Sequence, residues 1–142
     1  MTYSTLKSSL LVIASSFLFS HSLSADVMIG KYKYSHGVLP EIQGEYWWTG
    51  NPEYRKYSGK HHFFLNKDGS GTFHFTAGTQ SSFKWGVHVD ENNKPRLYSD
   101  RYKELDGCYM VGMVFDNGEK DGICINLKSG HGILGTTHYQ RK

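Results

Sequence analysis

Histidines, cysteines and carboxylates are the side chains here that could bind a metal or move a proton. The chain has 8 histidines. His61 and His62 are neighbours in an alternating stretch, so in a strand they face opposite ways. His62 falls directly across from His74 in the register derived below, near enough to share an ion. His88 is on the same outer face but lands near Ser70. Two imidazoles without a carboxylate or thiolate make only a weak metal site, and a surface pair is the better reading, so no metal ligand and no cofactor is assigned. Asp90, Glu91, Asp106, Asp116, Glu119 and Asp121 sit mainly in turn sequences, where bonds to the backbone explain them. No HExxH, nucleophile motif or phosphate loop occurs. No catalytic residue follows, and the expectation is not an enzyme.

The two cysteines, Cys108 and Cys124, form a disulfide by default in an oxidising compartment. The closed loop of about fifteen residues is worth about 3 kcal/mol in the chain-entropy account. Between them, Asp116-Asn117-Gly118-Glu119 carries the Asn-Gly centre of a two-residue type I′ hairpin. That register sets Cys124 opposite Val111 and turns Cys108 to the other face. A bridge then requires a bulge near Gly112 or a longer loop; two buried free thiols are the alternative.

Rings are the third group, and their spacing is the plainest signal in the chain. Phe63, Leu65, Phe73 and Phe75 occupy every second position on either side of Asn66-Lys67-Asp68-Gly69-Ser70. That is the period of a strand. The five residues have the form of a three-residue hairpin loop closed by a left-handed glycine, which puts Asn66 opposite Ser70. Counting back sets Leu65 against Gly71, Phe63 against Phe73 and His61 against Phe75. Phe83, Trp85, Val87 and Val89 alternate in the same way. If Phe75 meets Phe83 and Phe73 meets Trp85, an aromatic ladder crosses three strands. Arg101 comes inside if Val89 pairs with Leu97, where it could clamp a carboxylate; a slip of one residue leaves it in solvent.

The elements that must hold these groups are short strands. Asp26 to Pro40 is an extended lead-in, and Gly44 to Trp48 a first strand. Asn51 to Gly59 is a polar loop, and the three-strand meander follows. Arg96 to Tyr102, Gly107 to Phe115, Asp121 to Leu127 and Ile133 to Tyr139 complete eight candidate strands without an amphipathic helix. Strands of this number and spacing predict an all-β fold, a single antiparallel up-and-down β-barrel that closes on itself and leaves no edge.

Gly44-Glu45-Tyr46-Trp47-Trp48 is similar to the glycine-x-tryptophan signature of a first barrel strand. Phe64 to Phe73, followed by Phe83-Lys84-Trp85, resembles the F-x-x-D-G-T-G-T hairpin and F-x-W strand of small secreted lipocalin-like domains. On these residues, about half of the chain after its leader resembles bacterial lipocalin-like proteins of the calycin group. It departs from them in placing tryptophan three and four residues after Gly44 instead of two. The resemblance implies a barrel with one open mouth, often holding a small apolar molecule, in a group that also includes inhibitors and folding partners.

Residues 1–25 have the plan of a secretory signal peptide: Lys7, the apolar run from Leu10 to Phe19, then small residues to Ala25. An uncleaved membrane anchor is the other reading. Residues 26–142 make one domain with a core of its own. The expected location is exported, periplasmic or secreted, without a membrane span after cleavage. A net charge of +3, evenly spread, gives no reason to expect nucleic acid; the basic end Gln140-Arg141-Lys142 reads as a solvated tail.

Two functions fit. In one, Trp47, Phe63, Phe73, Phe75, Phe83, Trp85 and Arg101 line a cavity for a small hydrophobic or amphipathic molecule. In the other those rings fill the barrel, and the chain binds a protein partner through Tyr54, Tyr57, Phe64, Trp48 and Tyr109.

Overall fold

One turn design recurs and sets most of the register. In the computed structural model, which describes residues 26–50, 61–75 and 77–142, the N–H of Asn66 donates to Ser70 O at 2.9 Å and that of Gly69 to Asn66 O at 3.1 Å. The same pair of bonds joins Phe75 to Thr79, Asp90 to Lys94 and Phe115 to Glu119. The fourth residue of each is left-handed: Gly69, Gly78, Asn93 and Gly118, at φ from 63° to 92°. A left-handed residue closing a type I turn lets the strands leave with their natural twist. Asp68 tightens the first turn by accepting from the Ser70 backbone N–H at 3.0 Å and from its hydroxyl at 2.6 Å.

The strands are β1 (Val27–Ile29), β2 (Tyr32–Ser35), β3 (Gly44–Trp48), β4 (His62–Leu65), β5 (Ser70–His74), β6 (Gln80–His88), β7 (Leu97–Tyr98), β8 (Cys108–Phe115), β9 (Lys120–Ile125), β10 (His131–Leu134) and β11 (Thr137–Arg141). Eight of them, β3, β4, β5, β6, β8, β9, β10 and β11, pair antiparallel in a ring that β11 closes on β3 through Tyr139–Trp48, Gln140–Trp47 and Arg141–Tyr46. The chain is therefore all-β, with a closed eight-stranded antiparallel barrel of the kind the lipocalin resemblance implies. Among the described residues helix is limited to short 3₁₀ turns such as Pro40–Ile42 and Lys103–Leu105.

The first hairpin pairs as expected, Phe63 with Phe73 and Leu65 with Gly71. Three other expectations are corrected. Phe73 faces Ser81 and Gly71 faces Phe83, because the second turn closes at Thr79; inward and outward faces are kept, but Trp85 leaves the ladder. Arg96 to Tyr102 is not a barrel strand: after Arg96, whose N–H donates to His88 O, the chain abandons β6, and β7 follows the start of β8 instead. The eighth stave comes from the C-terminal segment, which a Gly135-Thr136 turn divides into β10 and β11. The lead-in segment is also more than extended chain, since β1 and β2 form a hairpin that docks on β6 through Tyr34–His88 and Ser35–Val87.

That hairpin lies against a strip of bare wall. Gly86, Gly112 and Gly122 are outward and directly in register across β6, β8 and β9. A Cβ at Gly112 would stand 2.6 Å from the Tyr34 ring, and one at Gly86 2.3 Å from the Tyr34 carbonyl oxygen. Only glycine permits so close an approach.

The Asn-Gly turn resolves the disulfide. It is a three-residue loop and not type I′, so Met110, not Val111, faces Cys124. One residue of shift exchanges faces. Cys108 and Cys124 then lie diagonally on the outer wall with Cα atoms 5.5 Å apart, and they are bridged. Around them Leu105, Met110 and Ile133 form a second cluster outside the barrel, flanked by Tyr34, Tyr98 and Tyr102.

Candidate functional site

Inside the barrel Tyr46, Phe63, Phe73, Phe83, Trp85, Met113, Ile123, Ile125 and Tyr139 are all buried. Phe63 stacks on Tyr46 at 5.0 Å and on Phe73 at 5.3 Å. Of the residues expected to line a cavity, Phe63, Phe73, Phe83 and Trp85 therefore point inward and pack on one another, and Phe75 is half-buried against them at one end of the barrel. Trp47 does not point in. It alternates with Tyr46, which takes the interior position two residues after Gly44. Trp47 instead stacks outside on His62 at 4.1 Å, with the Lys142 ammonium 4.4 Å above its ring and its indole N–H donated to Glu45. Arg101 is exposed as well, lying over the Tyr98 and Tyr102 rings. Its segment never joins the barrel, so no register of β6 brings it in.

The two ends of the barrel differ. At one end Ile42, fully buried on its 3₁₀ turn, and Arg141 close the bore. The Tyr46 hydroxyl donates to Ile42 O at 2.6 Å, and Arg141 donates to Leu127 O at 2.8 Å and to Glu41 O and Tyr46 Oη at 3.2 Å each. Far from being part of a solvated tail, Arg141 spans the bore, its ring neighbour Tyr46 held above its ordinary pKa chiefly by burial. Trp85 belongs to this end, its indole N–H reaching Asn66 O at 3.0 Å.

The opposite end carries Trp48, Phe75, Phe115 and Leu134, half-buried and packed on the interior cluster. His61 sits among them, 5.5 Å from the Trp48 ring, 5.0 Å from Phe73, 5.7 Å from Phe75 and 5.8 Å from Tyr139. Burial, with a smaller effect from His62, lowers its pKa, so at neutral pH it adds no charge. The Tyr139 hydroxyl, buried beneath, is pushed far above its usual pKa for the same reason. Among the described residues this end presents aromatic and apolar side chains, packed over an aromatic floor. Sequence reasoning found Phe75 and missed Trp48 as a rim residue, Phe115 and Leu134. Each ends its strand on the inward parity, the signal that could have found them.

Tyr54 and Tyr57, like residues 1–25 expected to form a signal peptide, lie outside the described residues. Tyr109 is half-buried against the core. Phe64 faces outward, edge-on to His62 and His74. His62 and His74 do face each other as expected, with their rings stacked parallel at 4.5 Å and an interplanar angle of 4°. Among the described residues no helix is long and apolar enough to cross a membrane, and no three potential ligands gather around one point.

No protein-family model matches the chain, and neither a curated protein nor a solved structure matches it.

Proposed function

We propose that this is an exported, lipocalin-like binding protein that takes a small apolar or amphipathic molecule at the aromatic end of its barrel, and that it is not an enzyme. The observation that carries this reading is the asymmetry of the ends: Arg141 and Ile42 close one, while five half-buried side chains ring the other. Ligand sites prefer such apolar concavities with few polar groups, and eight-stranded barrels are of a size to hold one small ligand. Among the described residues Arg101 lies outside and Arg141 is committed to two carbonyls and the Tyr46 hydroxyl, which favours an uncharged ligand. The Cys108–Cys124 bridge fits an oxidising compartment.

The test is a fluorescence titration with apolar dyes, neutral lipids, fatty acids and bile salts, read on intrinsic tryptophan emission. Neutral ligands should perturb it, and Phe115→Gln should weaken them about tenfold, the worth of roughly half a buried aromatic side chain. A panel without a binder, or equal affinity in the variant, would overturn the reading.

A second reading has an observation of its own. A surface groove of about 500 Å³ runs past Leu97, Leu105, Tyr109 and Leu127 beside the two-residue edge strand β7. Leu97 is 56 % exposed there. A protein partner anchored on Leu97 would make the chain an inhibitor or accessory subunit, and Leu97→Asp would abolish that binding without touching the rim.

A further inference from the structure

The pair of histidines that the sequence singled out is built for stacking, but a second pair is built to converge. His131 and His138 lie on the outer wall of neighbouring strands, where His131 pairs with Gln140 and Ile133 with His138. Their rings approach diagonally, with His131 Nε2 and His138 Nδ1 2.8 Å apart, centroids at 5.0 Å and planes at 37°. Both residues are half-buried. The surroundings hold the pair in place. The His131 backbone N–H donates to Ser129 Oγ at 3.2 Å, and Gln140 Nε2 ties Ser129 O to β11 at 2.6 Å. Ile133, between the two on the same face, is buried in the disulfide cluster.

Two imidazoles bound to one ion at roughly 2.0–2.1 Å with a right-angle bite hold their nitrogens about 2.9 Å apart. The observed spacing is close to that. We propose that His131 and His138 form a binding site for a divalent transition-metal ion of imidazole preference, copper(II) foremost, with the remaining positions open to water or a small exogenous ligand. In the metal-free pair one ring donates its N–H to the other. Coordination needs this ring to move its proton to its second nitrogen and both rings to rotate about their side-chain bonds, so that the two lone pairs leave the N···N line and meet at the ion. Copper stands at the top of the affinity order for nitrogen sites, and a bis-imidazole chelate on a paired hairpin is preorganised for tetragonal geometry. The stacked His62–His74 rings, at 4°, cannot aim two lone pairs at one point.

The contrast between the pairs makes the test internal. Copper(II) chloride is titrated into the protein while amide resonances are followed by NMR. Paramagnetic broadening should appear first over residues 129–141 and spare 61–75. His138→Asn and His131→Asn should each weaken binding roughly tenfold or more, and the wild-type electron paramagnetic resonance spectrum should show coupling to two nitrogens. Broadening that begins at His62 and His74, broadening nowhere, or unchanged affinity in both variants would overturn the proposal. The wild-type map stands even if a variant is poorly folded.

Discussion

At the scale of single residues, Arg141 shows how a side chain acquires a role its neighbourhood in sequence does not announce. As part of Gln140-Arg141-Lys142 it looks like solvated charge, and on β11 it becomes a crossbar with three acceptors. Its planar fork suits acceptors lying in several directions. Arg141→Met keeps the stem but leaves those oxygens without their charged donor. The expected loss is about 2 kcal/mol, since a hydrogen bond to a charged group contributes about 1.5–3 kcal/mol. Urea denaturation should show a lower midpoint at an unchanged slope, and Arg141→Lys should not restore it. An unaltered midpoint would mean that the closed end holds without the crossbar.

At the scale of elements, the argument turns on loop length. Asn-Gly alone suggests a two-residue turn, yet the β8–β9 loop takes three residues and leaves Gly118 at φ 91°. The reason lies in what the strands must bury: with this register Ile123 and Ile125 face inward together with Val111 and Met113, and the sulfurs meet outside. Removing Glu119 while keeping the three-residue loop Asp116 to Gly118 would set Lys120 opposite Phe115 and Cys124 opposite Val111. Every side chain of β9 would then exchange faces or the hairpin would refuse the turn. We expect the deletion variant to expose two alkylatable thiols where the parent chain has none, measured by mass after maleimide labelling without reductant. A variant that stays bridged, with the parent spectrum, would show that the turn does not control the pairing.

For the whole molecule, the distribution of buried imidazoles sets a pH dependence. His61, His88 and His131 all have lowered pKa values, each mainly through burial. The unfolded chain takes up these protons near the ordinary value of 6.5, while the native protein refuses them until lower pH. Stability is therefore full above about pH 6.5 and declines as pH falls from there toward the depressed native values. Asp68, lowered chiefly by its Ser70 hydroxyl bond, adds a loss of the same sign in more acidic solution. Urea midpoints should fall steadily between about pH 7.5 and pH 5; a flat or rising profile would contradict the burial of these rings. Much of this molecule was legible beforehand. Alternation within a hairpin depends only on the turn and the two strands beside it, so the all-β class and the Phe63–Phe73 pairing could be read along the chain, whereas the register read from Asn-Gly sets Cys108 and Cys124 on opposite faces. Which staves make the ring, which end Arg141 closes, why Tyr46 replaces Trp47 inside and Arg141 replaces Arg101, and how His131 meets His138 were decided by closure. Those contacts join segments far apart in sequence, where no local period fixes the offset between one hairpin and the next.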